Sequence, residues 1–263
     1  MKLTHMDEAY WAERRIAAER EFPGSSYGVR PDLTAEVVDR FEDALHAESE
    51  EAIQNCLTEN PYLVQYAISN SGHHGTWVYP KQMIRPKAAT GEPGLIPDFL
   101  AVTRSSLGDH WWVVELKRFD TQFADAQGGG MSPMGHKAVS QAAGYLSHFR
   151  EYIDAIRSHV RIPRLTQPSG ALILIGDSQT ESEAQRTVRS NFVRTATNID
   201  VASYRRIVVH ARMDVGFTRN SRPFRLEPMG RSDLAALGED GAGPGSTCPT
   251  KRTEGGAAPG GRR

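Results

Sequence analysis

Hydrophobic and polar residues alternate most clearly between Ile96 and Arg118. There Ile-Pro-Asp-Phe-Leu-Ala-Val is followed by a polar break and then by Trp-Trp-Val-Val-Glu-Leu-Lys-Arg. Alternation with period two predicts a strand carrying Asp98, a turn from Arg104 to Asp109 containing Ser-Ser-Leu-Gly-Asp, and a second strand carrying Glu115 and Lys117. Glu115 and Lys117 then share one face, while Val114 and Leu116 take the other, which can be core. Closing the hairpin brings Asp98 near Glu115.

Elsewhere the pattern is helical or continuously apolar. Residues 6 to 20 have helical composition, end at the breakers Phe22-Pro-Gly-Ser-Ser, and offer Tyr10 and Trp11 for docking on the core or on a second subunit. From Asp32, the residues Val37, Val38, Phe41, Ala44, Leu45, Ile53, Cys56 and Leu57 recur at spacings of three and four, predicting one long helix that Asn60-Pro61 stops. Residues 62 to 84 hold Tyr-Leu-Val, the loop Ser69 to Gly75, and then Trp77-Val-Tyr-Pro and Gln82-Met-Ile-Arg, which read as short strands or edge segments. A flexible connector, Phe119 to Gly135, leads to a helix from Lys137 to about Ser158 with Gln141, Tyr145, Phe149 and Tyr152 along one side. Ala171 to Gly176 has the continuous apolar run of a buried strand. Glu181 to Asn198 is helical, Ile199 to Ser203 a short strand, and Tyr204 to Met213 an amphipathic helix.

This order predicts an α/β domain with a mixed central sheet flanked by helices. The expected boundaries are an N-terminal helical extension over 1–31, the main domain over 32–215, and a Gly- and Pro-rich tail over 216–263. The tail reads as largely disordered, because it has too few apolar groups to offset the entropy of ordering.

Candidate chemistry collects on the hairpin. Two carboxylates held together on rigid strands repel each other and are costly to bury unless a cation sits between them. Asp98 and Glu115 therefore suggest a divalent metal, and all-oxygen ligation suits Mg2+ or Mn2+ rather than Zn2+. Lys117, on the same face as Glu115, can position or deprotonate a water. Together these residue types fit metal-assisted phosphodiester hydrolysis. Read as an exposed active-site lysine, Lys117 should be replaceable by Ala with loss of cleavage and little cost to the fold.

Glu50, in an acidic cluster with Glu48 and Glu51, is either part of a solvated helix face or a further carboxylate aimed at the hairpin. Gln141, a polar residue on a mostly apolar stripe, either makes a structural hydrogen bond or orients a nucleotide or the carboxylates. His73 and His74 lack a third nitrogen or sulfur ligand at sensible spacing and read as polar loop residues. Arg150, Arg157, Arg161 and Arg164 read as a solvated surface that could also meet phosphates.

Composition narrows the setting. The 263 residues are 39% hydrophobic and 24% charged, as in a soluble globular protein large enough for a proper core. No apolar run approaches the roughly 18 residues that span a bilayer. The N-terminus has no apolar signal stretch either, so the expected location is cytoplasmic with no membrane partner. With only Cys56 and Cys248, neither a disulfide framework nor a zinc site is supported. A formal net charge of -1 excludes a broadly polycationic nucleic-acid coat, yet leaves room for a nuclease whose metals and local basic rim supply the positive field.

Pro97-Asp98 followed by Glu115-Leu-Lys117 resembles the PD-(D/E)xK nuclease motif of the restriction-endonuclease-like fold, with Gln141-x-x-x-Tyr145 downstream. The wider arrangement is similar to the Shedu anti-phage nuclease family, whose effector domain is also described as a DUF4263 domain. The matching stretches are Glu50 to Pro61, Ile96 to Phe99, Val113 to Arg118, Gln141 to Tyr145, the Leu-Ile-Leu-Ile-Gly strand, and Ile199 to Ala211. This resemblance implies a restriction-endonuclease-like (PD-(D/E)xK) core and a Mg2+-dependent (or Mn2+-dependent) DNA endonuclease. It also implies a role in prokaryotic defence against phage or plasmids and a homo-oligomer with DNA as its partner. It implies Asp98 and Glu115 as metal ligands, Glu50 as a less secure third, Lys117 as the residue assisting the attacking water, and Gln141 as support. A repair or restriction nuclease of the same fold, or a nucleic-acid-binding protein that does not use its metal site, are the alternatives.

Overall fold

In the computed structural model, which describes residues 8–68, 74–87 and 94–220, six strands form one mixed sheet in chain order. Strand β1 (Ser26–Gly28) lies antiparallel to β2 (Thr76–Pro80), β2 to β3 (Phe99–Ser105), and β3 to β4 (Gly108–Leu116). The β3–β4 hairpin closes through Ser106 and Leu107, with Gly108 at φ +114°, a conformation that side-chain-bearing residues rarely adopt. Beyond it, β4 runs parallel to β5 (Gly170–Leu174) and β5 parallel to β6 (Ile199–Ala202).

Seven α-helices accompany the sheet among the described residues: α1 (Glu8–Glu21), α2 (Ala35–His46), α3 (Glu50–Glu59), α4 (Tyr62–Gln65), α5 (Pro133–Val160), α6 (Glu183–Thr195) and α7 (Tyr204–Asn220). Parallel strands cannot be joined by a tight turn, so α5 forms the crossover from β4 to β5 and α6 that from β5 to β6. One face of the sheet packs Val78, Ala101, Val114, Leu116, Leu172 and Leu174 against α2, α3, α4 and α7. The other packs Trp77, Trp111, Val113, Ala171 and Ile173 against α1, α5 and α6. With both faces covered, β5 is buried at every position, which is why its sequence is continuously apolar.

Several elements differ from the sequence pattern. The long helix expected from Asp32 to Asn60 is two helices. Glu48 turns into the left-handed region (φ 52°) and Ser49 caps α3 by accepting a hydrogen bond from the Ala52 N–H (3.2 Å). Apolar periodicity runs through the break because both helices pack on the same core. Tyr62–Gln65 is a helical turn, and Gln82 to Arg85 carries a single bridge, Arg85 to Leu95, in place of a strand. Helix α5 starts at Pro133, four residues before Lys137, because Ser132 caps it and proline suits a first helical position. Asp98 is not within a strand but in a bend immediately before β3. Helix α7 runs past Met213 to Asn220, so residues 216–220 of the tail expected to be disordered are helical. His73 and the rest of the tail lie outside the described residues, and His74 is exposed.

Candidate active site

Strand register assembles the site. Pro80 pairs with Phe99 and Phe99 with Val114, so one residue further along, Lys81, Asp98 and Glu115 form a lateral row across the ends of three strands. The row is tied down mostly by main chain. The Lys81 N–H donates to the Asp98 carbonyl (2.9 Å), and the Gln54 amide of α3 donates to the same oxygen (3.4 Å). The Leu116 N–H donates to Asp98 Oδ2 (2.6 Å), and the Lys81 ammonium donates to Oδ1. Lys117 is held from both sides: its N–H donates to the Leu174 carbonyl of β5 (2.8 Å), and its carbonyl accepts from the Tyr204 hydroxyl of α7 (2.6 Å).

The side chains of the row are buried except for one. Asp98, Glu115 and Lys117 are all below 9% exposed, whereas the Lys81 side chain is 53% exposed. Lys117 Nζ donates to Glu115 Oε1 (2.6 Å), and the Tyr145 hydroxyl of α5 donates to Oε2 (3.1 Å). Burial, followed by the charge of Asp98, pushes the Glu115 carboxyl above its ordinary range, and Lys117 and Tyr145 oppose that shift. Burial likewise raises the Tyr145 phenol, helped by Glu115. Gln141, one turn before Tyr145, lies close enough to the Tyr145 hydroxyl to oppose that rise, and its Oε1 is buried without a partner.

The structure thus brings Asp98, Glu115, Lys117 and Gln141 together, and adds Lys81 and Tyr145, which sequence reasoning missed as site residues. Tyr145 was visible as part of an aromatic stripe that reads as core. Lys81 left no local signal, since its place depends on the pairing of β2 with β3. Glu50 stands apart. It is exposed at the first position of α3, and its charge is felt at Tyr204 and Arg118. Among the described residues no three His, Cys, Asp or Glu side chains are grouped closely enough to hold an ion. The expectation of an exposed Lys117 is also corrected. Lying one residue beyond β4 on the α5 side of the sheet, Lys117 is 6% exposed and forms a buried ion pair.

Two carboxylates that accept only from ammonium, hydroxyl and amide groups, beside an unpartnered amide oxygen, make an all-oxygen donor set. Such a set fits a hard divalent cation, and Mg2+ commonly takes only one or two protein carboxylates, completing its shell with water and phosphate oxygens.

Residues 47–208 match the family model described as Shedu protein SduA, C-terminal. The chain belongs to the Shedu family. No curated protein matches it. The Shedu match begins just before α3, ends within α7 and contains the whole row from Lys81 to Lys117, together with Gln141, Tyr145 and Tyr204. Membership of the Shedu family implies a part in defence against phage. Among the described residues, no helix is long and apolar enough to cross a membrane.

Proposed function

We propose that this Shedu-family chain is a Mg2+- or Mn2+-dependent DNA endonuclease with a PD-(D/E)xK-type site at the ends of β2, β3 and β4. The observation that supports this most is the buried cluster of Asp98, Glu115 and Lys117, with Lys117 Nζ 2.6 Å from Glu115 Oε1. A buried charged cluster is costly to keep in a fold, and perturbed carboxyls concentrate at functional sites. Asp98 and Glu115 would hold the ion. When bound, it supplies Lewis acidity and positive charge at the phosphate.

The remaining work falls to side chains. Lys117 has three N–H donors, of which one engages Glu115, leaving two for the attacking water and a phosphate oxygen. Tyr145 fixes the second Glu115 oxygen and so the direction of the carboxylate. Gln141 Oε1 offers an acceptor to the O–H of a water. Glu50 contributes through its field and is no direct ligand in this reading.

Cleavage of plasmid and linear DNA with Mg2+, Mn2+ or EDTA tests the proposal, comparing wild type with Glu115→Gln and Lys117→Met after circular dichroism shows that each is folded. Metal-dependent cutting lost by at least about 10²-fold in both folded variants is expected, the lower end for a positioned acid–base group. DNA binding without cutting under every condition would replace the nuclease by the binding-protein reading.

A further inference from the structure

Four charges share the row: carboxylates on Asp98 and Glu115, ammoniums on Lys117 and Lys81. Without any metal their sum is zero. A divalent cation entering between the carboxylates adds two positive charges, and an ammonium must give way to it. The two lysines are not equal candidates. Lys117 is buried, with its N–H and C=O bonded to β5 and α7. Lys81 also has its N–H bonded, to the Asp98 carbonyl, but half its side chain is in solvent, and of that side chain only the ammonium is engaged, on Asp98 Oδ1. Its backbone takes the left-handed conformation (φ 49°) directly after β2, which side-chain-bearing residues rarely adopt and which is kept where a side chain must be aimed.

Resting on the nuclease reading above, we propose that Lys81 is a catalytic residue that stands in for the metal. It neutralises Asp98 in the resting protein, yields Asp98 to the divalent cation, and then turns its ammonium to the scissile phosphate. Charge counting favours this use. With the metal bound and Lys81 retained nearby, the four side chains and the ion sum to +2. A phosphodiester carries one negative charge. As the attacking water releases a proton to solvent and its oxygen bonds to phosphorus, the phosphoryl oxygens gain a second. The charges therefore match only in the pentacoordinate transition state, before the leaving oxygen departs with the P–O electron pair and takes a proton from solvent. That is stabilisation directed at the transition state rather than at the bound substrate.

The test separates metal binding from cleavage in the full chain. Mn2+ binding without DNA, followed by electron paramagnetic resonance, is measured for wild type, Lys81→Met, Lys81→Arg and Asp98→Asn. Lys81→Met should bind Mn2+ about fivefold more tightly, because the ion no longer displaces a partly exposed ion pair. At saturating Mn2+ it should also lose roughly tenfold or more in kcat, as expected when one group aimed at developing charge is removed. Lys81→Arg should restore kcat in large part and the weaker Mn2+ affinity. Unchanged Mn2+ affinity in Lys81→Met, with Asp98→Asn abolishing binding, overturns this inference and leaves the nuclease intact. No Mn2+ binding by wild type overturns both.

Discussion

At the scale of the residue, Glu115 and Lys117 form a pair in which neither member is dispensable. Breaking a buried ion pair by removing one partner strands the other charge, and Lys117→Met is expected to cost about 3–5 kcal/mol at neutral pH. The cost should depend on pH in a definite sense. Burial and Asp98 already raise the folded Glu115 carboxyl above its ordinary value of 4.5, and losing Lys117 removes the larger of the two groups that oppose them, leaving Tyr145. Over the pH range just above 4.5, the folded state then keeps a proton that the unfolded chain has released, so stability falls as pH rises through that range. Urea unfolding of Lys117→Met in EDTA should show that slope, and the double variant Glu115→Gln/Lys117→Met should lack it and be more stable than Lys117→Met at pH ~7. A pH-independent cost would count against the buried pair.

At the scale of the element, the break between α2 and α3 is set by a backbone conformation and a cap. Glu48 sits at φ 52° with its side chain 74% exposed, and its carboxylate lies 3.7 Å from Arg118 across the surface. An exposed ion pair at that distance contributes little, whereas the left-handed backbone costs an L-residue about 1–2 kcal/mol. Glu48→Gly is therefore expected to stabilise the protein by roughly 0.5–1 kcal/mol, and Ser49→Ala to destabilise it by about 1 kcal/mol, both read by chemical denaturation. If Glu48→Gly destabilised the protein by as much, the Arg118 contact would be the dominant feature of the break. The same logic explains why pattern reading merged the two helices. Periodicity reports the buried face, and both helices bury theirs against one core.

At the scale of the whole molecule, both sheet faces are covered, and α1 completes one of them. Its anchors are Ala18 and Phe22 rather than Tyr10 and Trp11. The Phe22 ring lies 4.9 Å from that of Trp77, and Tyr10 is 38% exposed. Over this contact Arg104 makes a two-pronged bond to Glu21 (2.7 and 2.9 Å) and also bonds Asp109 (2.6 Å), while Arg164 joins both carboxylates. These bonds hold the Glu21 carboxyl below its ordinary range. Phe22→Ala should cost about 3–5 kcal/mol and red-shift the emission of Trp77 and Trp111, since removing a buried ring leaves a cavity above them. Tyr10→Ala should change stability by no more than about 0.5 kcal/mol. Equal effects would mean that α1 docks through its exposed face.

What the sequence determined by itself was whatever is local or periodic. Alternation located the β3–β4 hairpin, and with it the approach of Asp98 to Glu115 and the sequence of Lys117. Continuous apolarity located β5, and polarity within an apolar stripe singled out Gln141. The tertiary structure alone decided what depends on distant register and on packing. Lys81 meets Asp98 only because β2 pairs with β3, and Tyr145 reaches Glu115 only because α5 crosses that face of the sheet. The burial of Lys117 follows from its pairing with Glu115 on the face that α5 covers, while β5 and α7 hold its main chain. Glu50 leaves the cluster because α3 begins at a cap that points it to solvent. Local chemistry is written in neighbouring residues, whereas burial and partnership are properties of elements that meet across the chain.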